Sequence, residues 1–69
     1  MKKLKIVVNI LDSKTEVLDF CYDVFEGIEK FLIISKAFRL KENESKFTAI
    51  LYDNNPVGSF NLDGTYTPL

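Results

Sequence analysis

The sequence predicts an α+β fold. We expect a single β-α-β-β-β domain, with one amphipathic helix packed on a four-stranded, mostly antiparallel sheet and a C-terminal tail able to add a short fifth strand. Three observations carry this expectation. Apolar residues recur with a helical period between Thr15 and Glu29. Alternating segments rich in β-branched and aromatic residues lie on either side. Turn chemistry separates the last of these segments. The chain has 69 residues, 46% of them hydrophobic and 28% charged, with a formal net charge of -1. That is one domain, residues 1–69, too apolar and too evenly charged for a disordered chain.

Lys3 to Leu11 reads as the first strand. Leu4, Ile6, Val8 and Ile10 share one face, while Lys5, Val7, Asn9 and Leu11 share the other. The second face is half apolar, so this strand is expected to be covered on both sides.

Ser13-Lys14-Thr15-Glu16 matches a capping box, in which a hydroxyl and a carboxylate satisfy each other's backbone amides. Behind it, Val17, Leu18, Cys21, Val24, Phe25 and Ile28 fall within an arc of about 120° at helical spacing. Glu16, Asp19, Asp23 and Glu26 take the opposite side. Gly27 is expected near the end of this helix.

Phe31 to Leu40 reads as the second strand. Leu32, Ile34, Lys36, Phe38 and Leu40 alternate with Phe31, Ile33, Ser35, Ala37 and Arg39. The β-branched pair Ile33-Ile34 favours a strand over a continued helix. Lys41 to Ser45 is a polar connection, and Lys46 to Asp53 is the third strand. Asp53-Asn54-Asn55-Pro56 supplies residues that tolerate a left-handed backbone or preset φ, and so marks a turn. Val57 to Leu62 is the fourth strand. Asp63-Gly64 signals a type I′ hairpin leading into Thr65 to Leu69, an edge strand or an arm.

The run from Leu51 to Phe60 (L-Y-D-N-N-P-V-G-S-F) resembles the central hairpin of acetyltransferases of the GNAT superfamily. The likeness covers about ten residues, and that family's Gln/Arg-x-x-Gly-x-Gly loop is not matched. It implies a strand-turn-strand unit and no acetyl transfer.

The chemistry is sparse. There is no histidine, which removes the usual general base and the commonest metal ligand. The single cysteine, Cys21, allows no intrachain disulfide and no cysteine-rich zinc site; in an apolar stripe it reads as a buried thiol. No cofactor or metal is implied. The Lys-rich start precedes an apolar stretch too short for a signal peptide, and no segment is long enough to span a membrane. A reducing cytoplasm is expected. Ser35 and Lys36 resemble a Ser-Lys pair only by adjacency, and no carboxylate pair is placed by a motif. The expectation is therefore that the protein is not an enzyme.

A domain this small buries only about 60% of its unfolded surface. With disulfide and metal absent, association with another chain is the remaining staple. A homodimer is expected, with Val7, Leu11, Phe31 and Ile33 as interface residues on a second apolar sheet face. Arg39, the only arginine, forms a basic patch with Lys36 and Lys41. Arg39, Lys36, Tyr66 and Tyr52 are the expected ligand-binding residues, suited to an anion by charge and stacking. The Lys-, Asn- and Ile-rich composition points to an AT-rich genome, such as that of a low-GC bacterium or its phage. The leading expectation is a small non-catalytic dimer, of the kind a phage uses as an inhibitor, that sequesters a small anionic, nucleotide-like ligand. One alternative is an inhibitor that blocks a host protein through its acidic helix or apolar sheet face. Another is a structural assembly subunit. Nothing points to duplex nucleic acid or to a membrane.

Overall fold

Strand β1 (Leu4–Ile10) forms where the sequence alternates apolar residues on one face. The structure, a computed structural model, describes residues 3–10, 15–43 and 47–69. After β1 come β2 (Thr15–Cys21), helix α1 (Val24–Ala37), a short 3-10 turn (Leu40–Asn43), β3 (Phe47–Asp53), β4 (Asn55–Phe60) and β5 (Tyr66–Pro68). The strands make one antiparallel sheet in the order β2-β1-β3-β4-β5. The α+β class, with one helix on an open antiparallel sheet, is as expected. The tail does add the fifth strand.

The element order differs from expectation over residues 15–40. The segment expected to begin the helix is strand β2, and the segment expected to be the second strand lies in α1. The cause lies at Asp23. Its carboxylate accepts a hydrogen bond from the Glu26 amide at 2.8 Å, while the Glu26 carboxylate accepts from the Tyr22 amide at 2.6 Å. Asp23-Val24-Phe25-Glu26 is therefore the capping pair that starts the helix. From there Gly27, Phe31 and Ile34 are buried, with Val24 and Ile28 packed beside them at helical spacing. The stripe read across residues 17–28 mixes two elements. Leu18 and Cys21 point to opposite faces of β2: Leu18 is 53% exposed and Cys21 is 1% exposed. Ser13, Lys14 and Leu11 lie outside the described residues.

The core sits between α1 and one face of the sheet. Ile6 and Val8 from β1, Cys21 from β2, Ala49 and Leu51 from β3, and Phe60 from β4 meet Phe31 and Ile34 from the helix. Leu40 closes one end from the 3-10 turn. Two glycines permit close approaches. A Cβ on Gly27 would press on Cys21 Sγ at 3.1 Å and on the Phe60 ring at 3.2 Å. A Cβ on Gly58 would fall within the Tyr66 side chain.

The β3–β4 turn falls within the expected segment, with Asn54 left-handed at φ 64°, but Asn55 and Pro56 pair with β3, so β4 runs Asn55–Phe60 and not Val57–Leu62. The β4–β5 hairpin differs in detail. Gly64 alone is left-handed, at φ 90°, so this is not a type I′ turn. Instead Gly64 N–H donates to the Asn61 carbonyl at 3.1 Å, and Asn61 N–H donates to the Thr65 carbonyl at 2.9 Å. Asp63 braces the loop by accepting from the Thr65 amide and hydroxyl at 2.9 and 2.6 Å, which holds its carboxyl below its ordinary pKa.

Candidate functional site

The end of α1 builds a groove with cationic and apolar walls. Phe38 caps the helix, its N–H donating to the Ile34 carbonyl at 2.9 Å. Arg39 follows in the left-handed region at φ 51°, a position that glycine usually holds. That conformation swings the chain out of the helix. Arg39 N–H then donates to the Lys36 carbonyl at 3.3 Å, and Glu42 N–H donates to the Arg39 carbonyl at 3.1 Å. Residues 36 to 42 are thus folded back on one another. The result is a groove of about 1040 Å³ lined by Leu32, Ile33, Ser35, Lys36, Arg39, Lys41, Glu42 and Leu62. Three cations face one carboxylate in it. Cations here also complement the negative end of the helix dipole.

The uncovered face of the sheet is the second feature. The register places Leu18, Val7, Ile50, Ser59 and Thr67 in one row across all five strands. Phe20, Lys5 and Tyr52 form the row on one side of it, and Glu16, Asn9 and Thr48 the row on the other. A concavity of about 370 Å³ over β2, β1 and β3 includes Lys3, Lys5, Val7, Glu16, Leu18, Phe20 and Tyr52. Lys3 Nζ lies 5.2 Å from the centre of the Phe20 ring, a cation–π distance. The apolar half of the central row is therefore the half over β2, β1 and β3.

Of the four expected ligand residues, the structure brings Arg39 and Lys36 together in the groove, with Lys41. Tyr66 is elsewhere: its ring packs on Phe60 at 5.4 Å between centroids, and burial raises its hydroxyl pKa. Tyr52 lies on the uncovered sheet face, on the row of Lys5. Neither tyrosine lines the groove.

The four expected interface residues also separate. Phe31 is fully buried in the core, so its placement on an interface is corrected: it sits on the inner side of a helix. Ile33 is 69% exposed, but on the outer side of that helix and at the groove. Val7 is half-buried on the uncovered sheet face. Leu11 lies outside the described residues. The acidic helix face does not form. Glu16 and Asp19 fall on opposite sides of β2, Asp23 is the helix cap and Glu26 supports it.

Cys21 is the buried thiol the sequence implies. Burial first, and the Glu26 charge second, push its pKa up. It is protonated and enclosed, the opposite of a nucleophile's setting. Among the described residues no cluster of His, Cys, Asp or Glu is placed to hold a metal. No helix among them is long and apolar enough to cross a membrane.

Several surface residues were not legible as a site. Leu32 and Leu62 wall the groove, while Leu18 and Phe20 emerge on the open sheet face. The signal that reveals them is the D-x-x-E pattern at Asp23, which moves the helix start and turns residues 15–21 into a strand. No family model, curated protein or solved structure matches the chain.

Proposed function

We propose that the protein is a non-catalytic binding protein whose ligand is a small anion with an apolar or aromatic body, nucleotide-like in that sense. The observation that supports this is the groove at the end of α1. Lys36, Arg39 and Lys41 line the same concavity as Leu32, Ile33 and Leu62. An anion with an apolar part meets both kinds of wall there: the cations take the charge, arginine by paired donors, and the leucines and isoleucine take the body.

A thermal-shift panel of inorganic phosphate, pyrophosphate and purine and pyrimidine mononucleotides tests the reading. At 100 times its Kd a bound anion adds about 2.7 kcal/mol to stability. The expected result is an upward shift with at least one nucleotide, weaker with phosphate alone, and lost in Lys36→Ala/Arg39→Ala. No shift across the panel overturns it.

A second reading rests on the outer face of α1. Phe25 is 81% exposed and Ile33 69% exposed, one helical turn-pair apart. Exposed apolar anchors at that spacing suit a groove on a protein partner. Loss of a partner in Phe25→Ser with the nucleotide shift intact would favour it.

A further inference from the structure

We infer that the uncovered sheet face is the contact surface of a homodimer, with the two-fold axis running along the Leu18–Val7–Ile50 row. This is independent of the anion groove, which lies at the end of the helix.

The starting point is an imbalance between the two faces of the sheet. One is covered by α1. The other carries Leu18, Val7 and Ile50 side by side, flanked by Phe20 and Tyr52. A single-layer helix cover leaves a sheet face that is normally polar when it meets water. Here the β4–β5 half, with Ser59 and Thr67, is polar, while over β2, β1 and β3 an apolar row runs between Lys5 on one side and Glu16, Asn9 and Thr48 on the other.

Edge-to-edge association is obstructed. At the β2 edge the Phe20 amide donates to the Asp19 carboxylate at 2.8 Å, and the Phe20 carbonyl accepts from Lys30 Nζ. Side chains already occupy the backbone groups of Phe20 that a neighbouring strand would need there. The β5 edge is three residues long and ends in Pro68. Within the sheet, the open face is the surface left for association.

The charge pattern selects the occupant and the axis. Lys3 and Lys5 lie at the Phe20–Tyr52 end, and Glu16 lies at the other end of the same patch. A two-fold axis along the central row keeps each strand over its own copy and reverses the strand direction. The apolar half then meets the apolar half. The Lys3–Lys5 end of one chain meets Glu16 of the other, twice. An axis parallel to the strands would instead set lysine against lysine. The patch is self-complementary in the isologous way a closed dimer requires.

Sedimentation equilibrium on the full chain, from micromolar to hundreds of micromolar, is the first test. A dimer is expected. A monomer throughout, or an open series of larger species, overturns the proposal. Val7→Glu should give a monomer with unchanged circular dichroism. Should that variant fail to fold, Lys5→Glu and Glu16→Lys decide the matter. Each alone is expected to weaken self-association roughly tenfold through lost and repelling pairs. Mixed together they should form a heterodimer tighter than either homodimer, because each then supplies the charge the other lacks. Absence of preferential mixing overturns the axis. A monomer whose Val7 and Ile50 amide resonances move with a short single-stranded oligonucleotide also overturns it, in favour of base stacking on Phe20 and Tyr52.

Discussion

The Phe31 ring stacks on the Phe60 ring, with centroids 5.3 Å apart and planes 13° from parallel. The contact joins the middle of α1 to the end of β4, and Tyr66 continues it to β5 at 5.4 Å. The helix is therefore held to the β4–β5 hairpin, distant from it in sequence, through one aromatic column. In a core this small, that column is a large share of the apolar burial.

Phe31→Ala is accordingly expected to cost about 3–5 kcal/mol, the range for deleting a buried phenylalanine. A domain of this size has little more than that to lose. Urea denaturation followed by circular dichroism should show an unfolded or barely folded variant. A surface role for Phe31 predicts an unchanged midpoint, and that outcome would remove the column from the account.

Gly58 is opposite Leu51 in the β3–β4 register, and the Tyr66 side chain lies where its Cβ would be. Gly58→Ala must push Tyr66 off Phe60, at a cost of about 1–3 kcal/mol. Hydrogen exchange should quicken first at the amides of β5. In a Tyr66→Ala background the same substitution should cost almost nothing, since the ring it collides with is gone. Equal costs in both backgrounds would contradict the geometry.

Arg39 has a conformational role, and the proposed anion site assigns it a separable electrostatic one. Its backbone is left-handed, which costs a non-glycine residue roughly 1 kcal/mol. Arg39→Gly should hold or raise the melting temperature while removing the nucleotide shift. Arg39→Ala keeps the strain and should lose both. A melting temperature lower for Arg39→Gly than for Arg39→Ala would mean that glycine's extra chain entropy outweighs the backbone strain it relieves.

The β1 and β3 strands and the turn at Asn54 were legible because local pattern and tertiary environment agree there. Residues 15–40 were not, and the reason is specific. Two capping patterns occur in the sequence, Ser13-x-x-Glu16 and Asp23-x-x-Glu26, and local spacing does not rank them. Tertiary packing does: only the later start puts Phe31 against Phe60 and leaves Cys21 on a strand beside Leu4. The helix terminator was hidden for a related reason. It is Arg39 in a left-handed conformation, whereas the glycine that suggested an end, Gly27, serves close packing on Cys21 and Phe60. The Lys36–Arg39–Lys41 cluster was legible as a charge pattern even so, because it is local in sequence and survives the change from strand to helix. The tyrosines were not, because their placement depends on strand register.

Cys21 provides a pH test of the same packing. Burial raises the pKa of its thiol above the ordinary 9.0, so the folded state holds this proton more tightly than the unfolded chain. The sign follows directly. Below pH 9 both states are protonated and the thiol's contribution is fully present. As pH rises past 9, the unfolded chain releases its proton first, and stability falls until the folded-state value is passed. Tyr66, also raised by burial, adds a loss in the same direction starting from its ordinary 10.0. Denaturation midpoints measured between pH 7 and about 10.5 should therefore decline, and Cys21→Ala should start lower but decline less steeply. Alkylation of Cys21 by iodoacetamide at neutral pH should be slow in buffer and fast in denaturant. Rapid alkylation of the native protein, or identical slopes for the two variants, would place the thiol outside the core.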